Sequence, residues 1–336
     1  MTGDDVARIL AYYDLGECQD YWRVSHGYVN ENWIIRTATG RYFLKRRHPD
    51  LSKPDLVAAQ HALVQHLRSV HFPAPTIVPT RRGRTFLEFQ DHICEIHDFI
   101  PGDLCNPARL AHFATAARTL GYYHNAVRGF DHHVFHRPHE RYGPASLTQI
   151  IDRLVESWHD RMSPELDLLI GELREHARDL QARFSEFGQL PELVIHGDYY
   201  ADNLIFQGDE LVGVVDYDLA HWCSRVLEVA EALIYFAAER PGQLKHIVYP
   251  GVLDLDAAYQ FLLAYTETAS LSESEIHALP HLIRAIWLCA SLDPPLEPLL
   301  RLEAAPQALP EILTLAGWAE AHTSDIVDIG LAARAK

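Results

Sequence analysis

The motif HGDYYADN at residues 196–203, continued by VVDYD at residues 214–218, carries most of the information in this sequence. It places an acid at Asp198, an amide five residues later at Asn203, and a second acid 13 residues further on at Asp216. Transfer of the terminal phosphoryl group of ATP uses such a set. One carboxylate receives the proton of the attacking hydroxyl, while an amide oxygen and a second carboxylate hold Mg²⁺. The spacing therefore predicts a phosphoryl-transfer site.

The residues around these groups are typical of strands that hold a loop. Residues 193–195 read as a short buried strand before the motif, residues 204–206 as another after the asparagine, and residues 211–215 as a third that ends at Asp216. Catalytic side chains commonly lie on loops that rigid strands position. The alternative, an Asp/Asn-rich surface turn, explains Asp209 and Glu210 but not the ordered series of acid, amide and acid.

The two motifs together resemble the signature of the superfamily of aminoglycoside phosphotransferases, choline kinases and homoserine kinases. That signature is H-G-D-x-x-x-x-N, a hydrophobic strand and D-[FWY]-[DE], and the sequence matches every fixed position. The resemblance implies a protein-kinase-like fold, with Asp198 catalytic and Asn203 and Asp216 as metal ligands. Protein kinases usually carry arginine at the position of Gly197, and no activation segment ending in A-P-E is recognisable here. The small-molecule branch is therefore favoured over kinases that act on proteins.

Composition excludes several classes of function. The 336 residues are 48% hydrophobic and carry a net charge of −17, which argues against a nucleic-acid partner. The acidity is compatible with a cationic acceptor such as an amine, although solubility alone explains it. Five scattered cysteines without a C-x-x-C pair suggest neither a disulfide framework nor a zinc site. With no signal peptide and no long apolar run visible, we expect a soluble cytoplasmic enzyme without a membrane partner.

The order of the elements predicts an α+β, two-lobed fold. Residues 1–100 are expected to form a nucleotide-binding lobe, a small five-stranded antiparallel sheet with one helix. Residues 101–336 are expected to form a mainly helical lobe for catalysis and acceptor binding. The predicted elements of the first lobe are a short helix within 1–15, strands at 21–24, 32–37 and 41–45, a helix from Pro54 to Ser69, and strands at 84–89 and 92–99.

Lys45 ends the third predicted strand and, by resemblance, is the lysine that reaches the α- and β-phosphates of ATP. Alternation along the strand puts Phe43 and Lys45 on one face. Protein kinases pair this lysine with a glutamate on the following helix. That helix has no glutamate here, and Gln60 stands where the acid is expected, as a hydrogen-bond acceptor for Lys45.

Two further segments are predicted to touch the nucleotide. Gly27, Asn30 and Asn32 lie in a sequence that resembles the G-x-x-N-x-N-[YW] loop of type II homoserine kinases, where amides approach the phosphates; the alternative is an ordinary hairpin loop. Residues 95–99 are expected to form the hinge between the lobes. Backbone groups there, at Ile96, Asp98 and Phe99, are expected to bind adenine.

Three residues are predicted to support the site. His196 is expected to pack beneath the loop rather than act as a base. Asp218 is expected to contact either the metal ligand or the acceptor. By resemblance, Glu228 occupies a position whose acid ties down the catalytic loop; a helix-surface glutamate is the alternative. The aromatic residues Tyr199, Tyr200 and Trp222 are candidates for the acceptor pocket or for the core.

These observations favour an ATP- and Mg²⁺-dependent kinase that transfers the γ-phosphoryl group to the hydroxyl of a small molecule. A homoserine-like amino-alcohol is the favoured acceptor, with aminoglycosides, choline or ethanolamine, and sugars as alternatives. A nucleotide-binding pseudokinase is a further alternative. The sequence leaves open the acceptor, the choice between ATP and GTP, and the oligomeric state.

Overall fold

The first five strands of the chain form one antiparallel sheet in the order β1-β2-β3-β5-β4. The computed structural model describes residues 2–24, 29–136, 141–239, 251–293 and 299–336. The five strands are β1 Cys18–Arg23, β2 Glu31–Thr37, β3 Arg41–Arg46, β4 Leu87–Phe89 and β5 His92–Asp98. The predicted five-stranded antiparallel sheet is confirmed.

Strand β3 lies in the middle of this sheet, and its two faces meet different surroundings. Tyr42 and Leu44 belong to an apolar core beneath helix α1 (Gly3–Leu10). Lys45 points to the opposite face, because side chains alternate along a strand. Its partners in register are Asn32 on β2 and Glu95 on β5. Three polar residues therefore stand side by side on the face that points away from the small core.

Helix α2 (Pro54–Ser69) connects β3 to β4 and begins with proline in its first turn, where a missing N–H costs nothing. Its apolar residues, among them Ala59, Leu63 and Leu67, are completely buried and pack into the larger apolar cluster formed mainly by the later helices. The lobe boundary at residue 100 stays a prediction. Helix α2 therefore packs against the helical part of the molecule, although it belongs to the first lobe by its place in the chain.

The large lobe is built from helices around a continuous apolar core. Helix α8 runs through this core, since every residue from Leu282 to Leu292 is buried. In the described ranges, no helix is both long and apolar enough to cross a membrane. The helices are α3 Leu110–Ala126, α4 Pro144–Trp158, α5 Pro164–Glu186, α6 Arg225–Ala237, α7 Leu255–Thr266, α8 Glu273–Leu292, α9 Ala305–Ala321 and α10 Thr323–Arg334.

Two small sheets carry the loops of the predicted site. One has the order β6-β8-β9 and the other pairs β10 with β7. Because Leu204 pairs with Val214, the residue before β8 and the residues after β9 are neighbours. The strands are β6 Asp103–Leu104, β7 Glu192–Ile195, β8 Leu204–Gln207, β9 Glu210–Val214 and β10 His221–Ser224.

Two predicted elements are shorter than the sequence pattern indicates. The helix expected within residues 1–15 ends at Leu10. The amide groups of Tyr12 and Tyr13 there bond three residues back, which closes a tight turn. Strand β4 begins at Leu87 rather than at residue 84, because residues 80–84 close a turn around Gly83. Local turn chemistry overrides the apolar pattern in both places.

Candidate active site

Asp198 and Asn203 bracket one loop between β7 and β8, and a pair of hydrogen bonds joins them. The side-chain amide nitrogen of Asn203 donates to the backbone oxygen of Asp198 (2.8 Å) and to its carboxylate oxygen Oδ2 (2.9 Å). These bonds fix the direction of the Asp198 carboxylate. They also leave the carboxamide oxygen of Asn203 as the atom available to a cation.

The loop is anchored from below by Glu228, which is completely buried. The amide of Gly197 donates to Glu228 Oε1 (2.7 Å), and His124 Nε2 lies 3.0 Å from Glu228 Oε2. His124 in turn pairs with the hydroxyl of Tyr265 (2.8 Å). This is the contact that the resemblance implies for Glu228, and its burial rules out the surface alternative.

His196 joins the two loops of the motif without facing the cleft. Its Nε2 donates to the backbone oxygen of Val215 (3.0 Å), and its Nδ1 accepts from the amide of Asp198 (3.3 Å). Both ring nitrogens are thus used by the backbone, which requires the neutral ring. Burial agrees, since it lowers the pKa of His196. The predicted packing role fits these contacts.

Asp216 follows β9 and lies beside Asn203. The amide of Val215 donates to the backbone oxygen of Asn203 (2.9 Å), which holds the two segments together. Asp216 has a φ of +68°, in the left-handed region that non-glycine residues seldom adopt, and such strain is common at functional sites. The turn leaves 34% of its side chain exposed. Carboxylate and carboxamide oxygens of this kind suit a hard divalent cation.

Lys45 reaches across from the small lobe to this turn. Its ammonium nitrogen lies 2.8 Å from Asp216 Oδ1 and 3.0 Å from Asp218 Oδ1. Burial opposes the charge on Lys45, but the neighbouring carboxylates outweigh it and raise the pKa of the ammonium group. Burial likewise opposes the charge on Asp216, and Lys45 outweighs it and lowers the pKa of that carboxyl. The lysine and the second acid are therefore both charged.

Asp218 is committed to the protein rather than to an acceptor. Its Oδ1 accepts from Lys45 and lies 3.0 Å from the guanidinium of Arg47, and its Oδ2 accepts from Asn30 (2.7 Å). Asn30 in turn accepts a hydrogen bond from the amide of His48 (2.9 Å). Of the two roles predicted for Asp218, acceptor contact does not fit these bonds. The residue instead joins the loop after β1 to the turn after β9.

Of the other two residues of the predicted phosphate loop, the structure describes Asn32 but not Gly27. Asn32 lies on β2, and its carboxamide oxygen is buried without a hydrogen-bond partner in the described part of the chain. Gly27 lies outside the described residues, so its contact with the phosphates stays a prediction.

The three residues of the predicted hinge each already use one backbone group within the small lobe. The side chain of Ile96 is completely buried in the small core, which does not bear on a backbone contact. The predicted adenine contacts of Ile96, Asp98 and Phe99 rest on their other backbone atoms and stay predictions. The backbone oxygen of Ile96 accepts a hydrogen bond from the amide of Val78 (2.8 Å). The amides of Asp98 and Phe99 donate to the backbone oxygens of Thr76 (2.9 Å) and Arg41 (3.2 Å).

Gln60 does not accept a hydrogen bond from Lys45, contrary to the prediction. Its side-chain oxygen accepts from Arg47 (2.6 Å), and its side-chain nitrogen donates to the backbone oxygen of Asp218 (2.7 Å). Sequence reasoning missed Arg47 as a site residue. The available signal was its position two residues after Lys45, which continues the same face of the strand.

Residues 20–257 match the family model described as the phosphotransferase enzyme family. The chain belongs to this family. The homoserine kinase of Phenylobacterium zucineum is 28% identical over 281 residues, covering 83% of this chain and 80% of that protein. A microcompartment-associated aminopropanol kinase has a similar structure, with a TM-score of 0.65 at 15% identity over 96% of this chain and 98% of that one. An amicoumacin kinase in complex with AMP-PNP, Ca²⁺ and Ami has a TM-score of 0.65 at 12% identity over 94% and 93% of the chains.

These similarities confirm the predicted family, the protein-kinase-like fold and the class of reaction. The phosphotransferase uses ATP and a divalent cation, and its acceptor is the hydroxyl group of a small molecule. The roles of individual residues are a separate matter and rest on the geometry described above.

Aromatic and charged groups of helix α6 and of the catalytic loop lie near Asp198. The ring of Tyr200, in the catalytic loop, lies 5.4 Å from that of Tyr235 on α6. Glu231, one turn earlier on α6, is buried. Burial raises the pKa of Glu231 to about 8, which the charge of Arg141 opposes and those of Glu228 and Asp198 reinforce. Glu231 and Asp198 are close enough for each charge to act on the other's surroundings.

Two of the three aromatic candidates do not belong to this group. Tyr199 is buried in the core, where its hydroxyl donates to the backbone oxygen of Ala116 (2.8 Å). Trp222 lies on β10, where its ring nitrogen donates to Glu192 (3.0 Å). Of the three, Tyr200 is the one whose ring pairs with Tyr235.

Proposed function

We propose that this phosphotransferase is an ATP- and Mg²⁺-dependent kinase of a small amino-alcohol, with Asp198 as its catalytic residue. The observation that supports this most directly is the Asp198–Asn203 pair lying beside Asp216, with Lys45 opposite. Asn203 and Asp216 would hold Mg²⁺, and Lys45 would contact the phosphates. The bound cation would neutralise charge on the phosphates and make the terminal phosphorus more electrophilic.

Asp198 would orient the acceptor hydroxyl and receive its proton. The acceptor oxygen forms a new bond to the terminal phosphorus, the bond from that phosphorus to ADP breaks, and the hydroxyl proton passes to Asp198. Burial raises the pKa of Asp198 to about 7, and the charge of Asp216 reinforces this while Asn203 and Arg141 oppose it. A carboxyl group of this pKa can accept a proton late in the transfer. Most of the acceleration would come from positioning and charge neutralisation.

The acceptor is proposed to carry an ammonium group. The relatives that support this are the homoserine kinase and the aminopropanol kinase, both named for amino-alcohol acceptors. In this chain, Glu231 lies near Asp198 and Tyr235, and the ring of Tyr200 lies against that of Tyr235. An ammonium group brought beside Glu231 would stabilise the ionised form that burial disfavours. The aromatic faces would add cation–π attraction.

The test is a coupled assay of ADP release with homoserine, 1-amino-2-propanol, ethanolamine, choline, an aminoglycoside and a sugar as acceptors. We expect Mg²⁺-dependent turnover that is fastest with an amino-alcohol. In Asp198→Asn, kcat should fall at least ~100-fold with little change in the KM for ATP, since general-base catalysis commonly contributes that much. The control Asp202→Asn removes an exposed acid from the same loop and should retain full activity.

Two outcomes would contradict the proposal. Wild-type turnover in Asp198→Asn would remove the catalytic assignment. Nucleotide binding without turnover on any acceptor would favour the pseudokinase alternative. That alternative is also compatible with helix α2, which offers Lys45 no carboxylate. The proposed contact with the ammonium group is tested by Glu231→Gln, which should raise the KM for a cationic acceptor about tenfold and leave the KM for ATP unchanged.

We also propose a cytoplasmic location. All five cysteines are free thiols in the structure. Free thiols are usual in reducing compartments. A fluorescent fusion expressed in the source cell, with fractionation as a check, tests the location.

A further inference from the structure

Lys45 is surrounded by more negative charge than it can neutralise. Asp216 and Asp218 lie 2.8 and 3.0 Å from its ammonium nitrogen, and Glu95 lies 4.0 Å away. Glu95 stands beside Lys45 in register on the neighbouring strand and is 1% exposed. At 4.0 Å Glu95 is at the outer limit of an ion pair with Lys45, and a small movement of either side chain would bring the two into direct contact. Something must keep Glu95 from taking Lys45 away from the cleft.

Arg47 is the group that occupies Glu95. Its guanidinium donates to both carboxylate oxygens of Glu95, at 3.0 and 3.2 Å. The same guanidinium contacts Gln60 (2.6 Å) and Asp218 Oδ1 (3.0 Å), and the residue is 2% exposed. A planar guanidinium can hold one carboxylate through two parallel bonds while its other N–H groups reach further acceptors, and a lysine ammonium lacks this fork geometry.

The two remaining contacts of Glu95 cannot replace this one. His61 Nε2 lies 2.7 Å and His97 Nε2 lies 3.3 Å from the carboxylate. Burial lowers the pKa of His61, so that ring is neutral and supplies no compensating charge. The three residues have the spacing of metal ligands, but Arg47 already holds both oxygens of Glu95. His61, Glu95 and His97 are therefore better explained as the binding partners and surroundings of Arg47 than as a metal site.

We infer that Arg47 is a positioning residue for nucleotide binding: by pairing with Glu95 and fixing Asp218, it keeps Lys45 directed at Asp216 and the cleft, where it can contact the phosphates. This inference rests on the proposed function. It also explains how the site works without a glutamate on α2. Asp218 orients Lys45 from the opposite lobe, and Arg47 holds Asp218 in place.

The test compares Arg47→Gln, Arg47→Lys, Glu95→Gln and the double variant Arg47→Gln/Glu95→Gln. The readout is the Kd for Mg·AMP-PNP by calorimetry, which needs no acceptor, with the thermal midpoint as a check of folding. Arg46→Gln is the matched control, because Arg46 is the adjacent arginine on the other face of β3 and pairs with Glu31 (3.1 Å).

Arg47→Gln should raise the Kd at least tenfold, or about 1.4 kcal/mol, because Glu95 then captures Lys45. The double variant should recover the affinity to within about threefold of wild type, since the competing carboxylate is gone. Glu95→Gln and Arg46→Gln should each bind within about twofold of wild type, and Arg47→Lys should be intermediate.

An unchanged Kd in folded Arg47→Gln would overturn the inference. So would a double variant that binds no better than Arg47→Gln. If Arg47→Gln does not fold, Arg47→Lys and the double variant decide the question by the same comparison. A wild-type protein that binds no Mg·AMP-PNP would instead overturn the proposed function, so the two failures can be told apart.

Discussion

At the scale of single residues, two carboxyl groups of the site have different pKa values because their surroundings differ. Asp216 pairs with Lys45 and keeps a low pKa, whereas Asp198 has no cation within ion-pair distance in the described ranges and has its pKa raised by burial to about 7. Acids with pKa values pushed apart in this way can take different tasks. One is suited to hold a cation and the other to exchange a proton.

The sequence motif predicted these residues because each has a fixed place along the chain. Asp198, Asn203 and Asp216 lie on two loops that the short β8–β9 hairpin places side by side, so local pairing brings them together. Arg47 and Glu95 could not be found in that way. They lie 48 residues apart and meet only because β3 pairs with β5. Pairing register is a property of the folded sheet, and the sequence specifies it weakly.

Gly197 offers a residue-scale test of the loop. Its φ is +76°, and an added Cβ would lie 2.3 Å from the backbone oxygen of Leu219. Gly188 has a similar φ of +64°, but nothing lies within 4 Å of its Cβ position. Gly188→Ala should therefore cost only the ~1–2 kcal/mol of the left-handed conformation.

Gly197→Ala should cost more than that and should also lower kcat, because the loop that carries Asp198 must move away from Leu219. Urea denaturation and the ADP-release assay on both variants check this. Equal losses of stability with full activity in Gly197→Ala would show that the close contact does not matter.

At the scale of elements, helix α6 couples the catalytic loop to the helical core. Glu228 in its first turn holds Gly197, and Arg225 at its start holds Glu275 at the start of α8, at 2.7 and 2.9 Å. Glu275 also closes a capping box with Ser272. Helix boundaries of this kind were partly predictable from capping residues. The Arg225–Glu275 contact joins helices distant in sequence and was not.

Glu275 makes stability depend on pH. Burial raises the pKa of this carboxyl, but hydrogen bonds from Arg225 and Ser272 outweigh burial and lower the pKa below 4.5. Because the folded pKa lies below the unfolded one, the contribution is complete above about pH 4.5 and is lost as pH falls through the folded pKa. Glu275→Gln should lose ~3 kcal/mol of unfolding free energy at pH 7.

The difference from wild type should shrink as the pH falls through that lower range, because the wild-type carboxyl then also loses its charge. Denaturation curves at pH 7 and at acid pH measure it. Glu273→Gln is the control, since this glutamate lies in the same turn but is 71% exposed and pairs only with Arg334 on the surface. A loss equal to that of Glu275→Gln would contradict the burial argument.

At the scale of the whole molecule, the sheet meets the catalytic turns through charged side chains, while helix α2 packs into the apolar core of the helical lobe. Lys45 and Arg47 from the sheet face Asp216 and Asp218 from the helical lobe, with Glu95 behind them. Two cations stand against three carboxylates in this group. The excess of negative charge disfavours a polyphosphate on its own and favours a divalent cation together with it.

Nucleotide binding should therefore depend strongly on the cation. At a concentration of 100 times Kd, Mg·ATP should stabilise the protein by about 2.7 kcal/mol. With EDTA in place of Mg²⁺, the Kd for ATP should rise at least tenfold, or about 1.4 kcal/mol. Thermal shift titrations with and without Mg²⁺ measure both values. In Asp216→Ala the difference between the two conditions should largely disappear, since the carboxylate proposed to hold the cation is gone. If wild-type protein binds ATP equally well in EDTA, the cation is not held by Asn203 and Asp216. Lys45 alone would then bind the phosphates in the cleft between the lobes.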